Sequence, residues 1–367
     1  MSSMEGPGGG APADPETRVK DGLSPAGGVS YARSFGATYA ALDLGTNNCR
    51  LLVARPAREG FRIVDAFSRI VRLGEGLSQS GRLNQAAIER TLNALDVCRD
   101  KMEARGVSRA RLIATEACRS ALNGVEFIAR VRHDIGLDLE IVDRETEAHL
   151  AAEGCASLAD AQAEGIVLFD IGGGSSEIVW LARDSAPVST AQPTTADLRS
   201  RVRHWASLKL GVVTLAEKFG GYEISAEVYE SMVAYVTDAL AQFISDTQQQ
   251  ARCTRFHLLG TSGTVTTIAG IHLGLPRYDR RRVDGIWMDD VDVTAAIERL
   301  RRMTYADRVA NGCIGQERAD LVLAGCAIFD AIWRVFPARR VRIADRGLRE
   351  GLLMQMMSAD RVWDYRV

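Results

Sequence analysis

Ile166-Val-Leu-Phe-Asp170-Ile-Gly172-Gly173-Gly174-Ser175-Ser176-Glu177 is an apolar run that closes on a carboxylate and breaks at once into three glycines. The apolar run reads as a buried strand, and the segment from Glu177 to Leu181 as the strand that returns beside it. Glycines let the backbone turn sharply and approach a ligand closely. The same order stands earlier in the chain. Ala37-Thr-Tyr-Ala-Ala-Leu-Asp43 is a strand ending in aspartate, Gly45-Thr46 is the turn, and strands follow at Cys49 to Ala54 and Phe61 to Val71.

Outward from these turns the two passes stay parallel. In the first, Asn84 reads as an N-cap before Ile88, Leu92, Leu95 and Met102 at helical spacing, with Gly106 as the stop. A strand at Arg111 to Ala114, a helix at about Val125 to Ile135, a strand at Leu139 to Val142 and a helix at Glu145 to Glu153 complete it. In the second, Trp205 to Val213 is expected as the third strand. A long helix at about Glu227 to Thr247 follows, then a strand at Phe256 to Leu259, helices, a strand at Val341 to Ala344 and a helix from about Leu348. Two β-β-β-α-β-α-β-α halves describe an α/β protein with a cleft between similar domains, expected over residues 37–160 and 161–367. The final helix is expected to pack back on the first domain, and ligands in such sheets sit where the strands end.

Composition narrows the classes of function. The 367 residues exceed one ordinary domain, and 46% apolar with 25% charged residues is the balance of a soluble globular chain. No apolar stretch approaches a bilayer span, so no membrane association is expected. A formal net charge of −2 supplies no global field for nucleic acid. Seven scattered cysteines without a C-x-x-C spacing read as reduced thiols of a cytoplasmic protein. Residues 1–36, rich in Gly, Pro, Ala and Ser, read as a disordered tail.

The chemistry is expected at the turns. Successive amides of Gly45, Thr46, Asn47 and Asn48, and of Gly172, Gly173, Gly174, Ser175 and Ser176, can converge on phosphate oxygens, with the hydroxyl and amide side chains as further donors. Asp43, Asp170 and Glu177 would supply hard oxygen ligands for Mg²⁺. Either turn alone reads equally well as a plain hairpin, and it is their recurrence at equivalent places that favours a ligand role. Neither fits a Walker A loop or G-x-G-x-x-G. A third turn, Gly260-Thr-Ser-Gly263-Thr264, opens a helix whose amides can hold another phosphate, or whose Ser is simply an N-cap. Arg119, leaving a strand, suits bidentate phosphate contact. His133-Asp134 reads as a solvated helix face. The basic segments Arg201 to His204, Arg277 to Arg282 and Arg339 to Arg342 are either guides for a polyanion or ordinary surface charge.

Asp43-Leu-Gly-Thr-Asn-Asn48, Thr115-Glu-Ala-Cys-Arg119-Ser-Ala121, Glu145-Thr-Glu147-Ala148, Asp170 to Glu177, Gly260 to Thr264 and Asp345-Arg-Gly-Leu-Arg-Glu350 occur in one order. In this the chain resembles the exopolyphosphatase and guanosine pentaphosphate phosphohydrolase family, within the superfamily of actin, sugar kinases and heat-shock ATPases. The resemblance runs from about Ala40 to Leu353. It implies two ribonuclease H-like (actin-like) domains, Mg²⁺, a homodimer, and Glu147 as the glutamate that orients and deprotonates the attacking water. The family's usual Ser-Gly pair and double glutamate are replaced here by Asp143-Arg144 and by Thr146, leaving Glu147 and Ala148 as the matches.

The reading that follows is an exopolyphosphatase, releasing orthophosphate from inorganic polyphosphate. Hydrolysis of the 5′-terminal phosphate of guanosine pentaphosphate is the neighbouring alternative, since both substrates present a terminal phosphoanhydride. An actin-like ATPase or sugar kinase, or a regulator that only binds polyphosphate or nucleotide, stands further off. Because the sequence stops shortly after its final helix, without the family's added helical domain, a weaker preference for long chains is expected.

Overall fold

A computed structural model describes residues 36–58, 60–182, 200–247 and 255–363. The N-terminal tail expected through residue 36 lies, up to residue 35, outside the described residues. The first sheet holds β1 (Tyr39–Leu44), β2 (Asn48–Pro56), β3 (Phe61–Ile70), β4 (Arg109–Ala114) and β5 (Glu140–Ile141), in the order β3-β2-β1-β4-β5. The second holds β6 (Gly165–Ile171), β7 (Ser176–Ala182), β8 (Val202–Leu208), β9 (Phe256–Thr261), β10 (Trp287–Asp289) and β11 (Arg340–Ala344), in the order β10-β11-β9-β6-β7-β8. In each sheet three antiparallel strands are followed by parallel ones. The second sheet repeats the first and adds β10 as an antiparallel edge.

Helices α1 (Gln85–Ala104), α2 (Glu116–Ser120), α3 (Gly124–Ile135) and α4 (Arg144–Cys155) belong to the first pass. Asn84 caps α1 as expected, its side chain accepting from the Ala87 amide at 2.8 Å. In the second pass come α5 (Val212–Phe219), α6 (Ala226–Thr247), α7 (Gly263–His272), α8 (Asp290–Arg302), α9 (Val322–Val335) and α10 (Leu348–Ala359). One expectation fails here: the strand anticipated over Trp205 to Val213 ends at Leu208, and Val212 and Val213 open α5. The Gly211 amide donates to Thr214 Oγ1 at 2.9 Å, which caps the helix, and Val212, Val213 and Leu215 form its buried face. Apolar β-branched residues fit a strand or a short buried helix equally, and the cap decides between them.

The two halves exchange covering helices. α4 lays Ala148, Ala151, Ala152 and Cys155 on the second sheet against Leu168 and Leu259. α10 lays Leu352, Leu353, Met356 and Met357 on the first, against Tyr39, Ala41, Leu52 and Ile113. The two helices meet at glycine contacts: a Cβ on Gly154 would stand 1.8 Å from the Gly347 carbonyl oxygen, and one on Gly351 2.2 Å from that of Leu150. No described helix is long and apolar enough to cross a membrane. The six cysteines within the described residues are free and buried.

Candidate active site

The two aspartate-glycine turns fold alike and abut. In the first, the Gly45 amide donates to the Asn48 carbonyl at 2.9 Å; in the second, the Gly172 amide donates to the Ser175 carbonyl at 2.9 Å. The carbonyls of Gly172 and Gly173 accept from the Val212 and Val213 amides at 3.0 and 2.8 Å. Because C=O and N–H lie on opposite edges of a trans peptide, the Gly173 and Gly174 amides face away from α5. On the other side the Thr46 and Asn47 carbonyls are taken by Gly74, Val71 and Arg72 amides. A Cβ on Gly174 would stand 2.6 Å from Thr46 Oγ1, and one on Gly173 would be 3.1 Å from the Asn47 amide nitrogen. No side chain fits between the turns, which is why this loop needs its glycines.

Where they meet lies a cavity of about 120 Å³. Asp43, Asp170 and Glu177, the expected metal ligands, line it, together with Glu147 and Glu116. Gly45, Thr46, Asn47, Asn48, Gly172, Gly173, Gly174, Ser175, Gly263 and Thr264 line it as well. The Oδ1 atoms of Asn47 and Asn48 are buried without a hydrogen-bond partner. An uncompensated amide in a buried wall costs free energy unless a ligand completes it.

The Gly45 and Gly172 amides, expected to meet phosphate, are instead spent on the Asn48 and Ser175 carbonyls that close their own turns, and two expected side-chain contacts fall elsewhere. Ser176 is fully buried and donates its hydroxyl to the Leu210 carbonyl at 2.8 Å, because it is already the first residue of β7 and alternation turns it away from the cavity. Arg119 stands behind the wall rather than in it. Its Nη1 donates to the Val142 carbonyl at 2.6 Å, its Nε and Nη2 to Glu116 at 3.2 and 2.6 Å, and its Nη2 also to Glu147 Oε2 at 3.0 Å. The third turn is in part a cap: Ser262, at a φ of 129°, accepts from the Thr264 and Val265 amides at 3.2 and 3.3 Å. His133 and its neighbour Asp134 pair with each other at an exposed helix end. Of the basic segments, Arg201 donates to the Ala163 carbonyl and Arg340 pairs with Asp160, so neither is spare charge.

Three residues given no role from sequence join the site. Arg50 is the register partner of Asp43 and so shares its face of the sheet, a placement that the hairpin pairing makes readable in principle. Arg318 comes from the loop before α9 and carries no sequence signal. A Cβ on Gly263 would be 3.5 Å from Arg318 Nη1 and 3.6 Å from Arg50 Nη2, so two guanidinium groups from opposite halves converge over the third turn. Glu116, which opens α2, is the third; it is buried against both Arg119 and Arg144.

Burial dominates the electrostatics. It lifts Asp170 to about 6, opposed by Arg50, and it lifts Glu177 to about 7, with the charge of Asp170 adding to it. Asp43 is raised by burial, against the pull of Arg50 and Arg349. Glu147 is raised well above the ordinary carboxylate range by burial and the nearby Glu177, while Arg119 pulls it down. Among the described residues no three carboxylate, His or Cys side chains close into a finished metal cage. Mg²⁺ does not ask for one, because it takes one or two carboxylates and fills the rest of its octahedron with water and phosphate oxygens. Asp43, Asp170 and Glu177, hard carboxylate oxygens lining one cavity, suit that manner of binding.

A duplicated α/β protein with an anion-ready, carboxylate-lined cavity at the seam of its halves is the class that this fold and site define. The chain belongs to the Ppx/GppA phosphatase family, whose description matches residues 52–360. It is 26% identical over 334 residues to the guanosine-5′-triphosphate,3′-diphosphate pyrophosphatase of Photobacterium profundum, covering 89% of this chain and 61% of that one. The chain thus spans less than two thirds of that relative's length. Over 329 residues it is 26% identical to the "Putative exopolyphosphatase" of Haemophilus influenzae, covering 89% of this chain and 94% of that one. The solved structure of the Aquifex aeolicus PPX-GPPA enzyme superposes with a TM-score of 0.69 at 26% identity, over 87% of this chain and 99% of that one.

Proposed function

We propose that the chain is an exopolyphosphatase, which binds the terminal phosphates of inorganic polyphosphate between the two glycine turns and releases orthophosphate. The observation that carries this reading is the shared cavity: the glycine turns of both halves, Arg50 and Arg318 line one space, and Glu147 lies in its wall. Amides and arginines preorganised for anionic oxygens stabilise the charge that a phosphoryl group carries through transfer. Glu147, whose proton affinity is raised by burial, suits a base that takes a proton from water. Water oxygen attacks the terminal phosphorus, the bridging P–O bond breaks with its electrons going to the shortened chain, and the water proton passes to Glu147. Mg²⁺, held by Asp43, Asp170 and Glu177, would neutralise phosphate charge and polarise the phosphoryl oxygens.

Orthophosphate release from polyphosphate, guanosine pentaphosphate and ATP, each with Mg²⁺ and with EDTA, tests the reading. Metal-dependent release from polyphosphate, exceeding that from both nucleotides, is expected. Release from guanosine pentaphosphate alone would transfer the proposal to that substrate, and release from none would end it.

A further inference from the structure

Arg144 is an awkward residue for its place. It is the first residue of α4, where the helix dipole favours negative charge, and its Nε is buried without an acceptor. Its Nη2, however, lies 3.0 Å from each carboxylate oxygen of Glu116. Glu116 is buried, accepts from Ser120 Oγ at 2.5 Å, and holds Arg119 through Nε and Nη2. Arg119 in turn holds Glu147 through Nη2. The four side chains therefore form an ordered line, Arg144, Glu116, Arg119, Glu147, with charges alternating along it. Glu116 also touches the second glycine turn, since a Cβ on Gly174 would stand 3.3 Å from its Cγ.

We propose that Glu116 and Arg144 are positioning residues that set the placement of Arg119 and, through it, the freedom of Glu147 to act on water. The inference rests on the hydrolase reading above. Arg119 has two carboxylates to satisfy. Shared between them and anchored on the Val142 carbonyl, it makes one bond to Glu147, to Oε2, and leaves the other oxygen of that cavity-lining residue out of the pair. With Glu116 neutralised, the charged carboxylate still hydrogen-bonded to Arg119 among the described residues is Glu147, and the natural geometry of a guanidinium with a carboxylate is bidentate. Such a pair would occupy both oxygens of Glu147 and stabilise its charged form, weakening it as a base. Arg144 keeps Glu116 charged and in place: although burial pushes the Glu116 carboxyl up, Ser120, Arg119 and Arg144 together hold it below the ordinary range.

The test compares Glu116→Gln, Arg144→Gln and the double variant. Residues that orient a reacting group typically carry about 10- to 100-fold in activity. For Glu116→Gln, kcat on polyphosphate is expected to fall by that order while KM stays within about twofold, because the phosphate donors are untouched. Arg144→Gln falls in the same direction, and the double variant is no worse than Glu116→Gln alone, as for residues acting through one another. A crystal structure of Glu116→Gln should show Arg119 paired with both oxygens of Glu147. The proposal is overturned if Arg119 keeps its place there and kcat stays within about twofold of wild type, or if the two single penalties add in full. Should wild type release no orthophosphate from polyphosphate, the hydrolase reading fails, and the position of Arg119 in the variant crystal still decides this one. If Glu116→Gln does not fold, the same crystal and kinetic readouts on Arg144→Gln decide.

Discussion

Arg72 and Asp320 join the two halves, with Arg72 Nη1 and Nη2 each 2.9 Å from one carboxylate oxygen of Asp320. Arg72 follows β3 of the first sheet, at a φ of 48°, and its amide bonds the Asn47 carbonyl at 3.0 Å. Asp320 lies in the Arg318 loop before α9. The pair thus ties the first glycine turn to the loop that brings in Arg318. Glu217 of α5 makes a second tie, accepting from the Gly76 amide at 2.9 Å and from Ser78 Oγ. Arg72→Ala should leave stability within about 1 kcal/mol, as for partly exposed ion pairs. It should raise KM for polyphosphate several-fold and widen the cleft, read as a larger radius of gyration by small-angle scattering. An unchanged KM would show that the tie does not govern the site.

The contact between the two turns makes a sharper prediction. Gly174→Ala places a methyl group 2.6 Å from Thr46 Oγ1 and 3.3 Å from Glu116 Cγ, so the turns must part. KM should rise by about tenfold or more with the fold retained, since the strain falls on the turns proposed to bind phosphate. Adding Thr46→Ala removes the nearest atom and should recover part of the loss. If Gly174→Ala binds and turns over like wild type, the close approach is not needed for function.

At the helix crossing the same argument bears on stability instead. A Cβ at Gly154 meets the Gly347 carbonyl oxygen at 1.8 Å, backbone against backbone, with no side chain to yield. Gly154→Ala should cost about 1–3 kcal/mol, the usual range for overpacking. Urea denaturation checks it, and a midpoint equal to that of wild type would contradict the packing described.

Metal and pH are linked through the cavity carboxylates. Asp170 at about 6 and Glu177 at about 7 lie above their ordinary values, so their stabilising contribution is complete below about pH 4 and is lost as pH rises through 6 and 7. In EDTA the Tm should therefore fall between about pH 5 and pH 7.5 from these groups, and Mg²⁺ should restore it at the upper end and do little at the lower. A Tm that is flat in EDTA, or indifferent to Mg²⁺ at about pH 7.5, would count against the metal assignment.

The fold was legible because it is written twice: strands ending in Asp43 and Asp170, each followed by a glycine turn, fix equivalent hairpins and hence the order of both sheets. Local signals such as the Asn84 cap held for the same reason, being short-range. What stayed hidden depends on contacts distant in sequence. Arg318 reaches the cavity from a loop with no pattern, and Glu116 acquires its meaning only when Arg144, 28 residues on, turns back to it. Ser176 was misplaced by a single step of strand alternation, and Val212 and Val213 by a cap whose partner, Thr214, lies outside the apolar run.

The central claim is that Glu147 takes the proton from water in the cleft between the turns, and Glu147→Gln tests it most directly. Gln keeps the size of the side chain and an acceptor oxygen but accepts no proton, and positioned bases contribute about 10²- to 10⁴-fold. The measurement is steady-state orthophosphate release from polyphosphate with Mg²⁺, with Glu145→Gln as the neighbouring control. A fall in kcat of that order with KM nearly unchanged, and a control close to wild type, is the predicted result; normal turnover by Glu147→Gln, or a crippled Glu145→Gln in its place, would contradict the account.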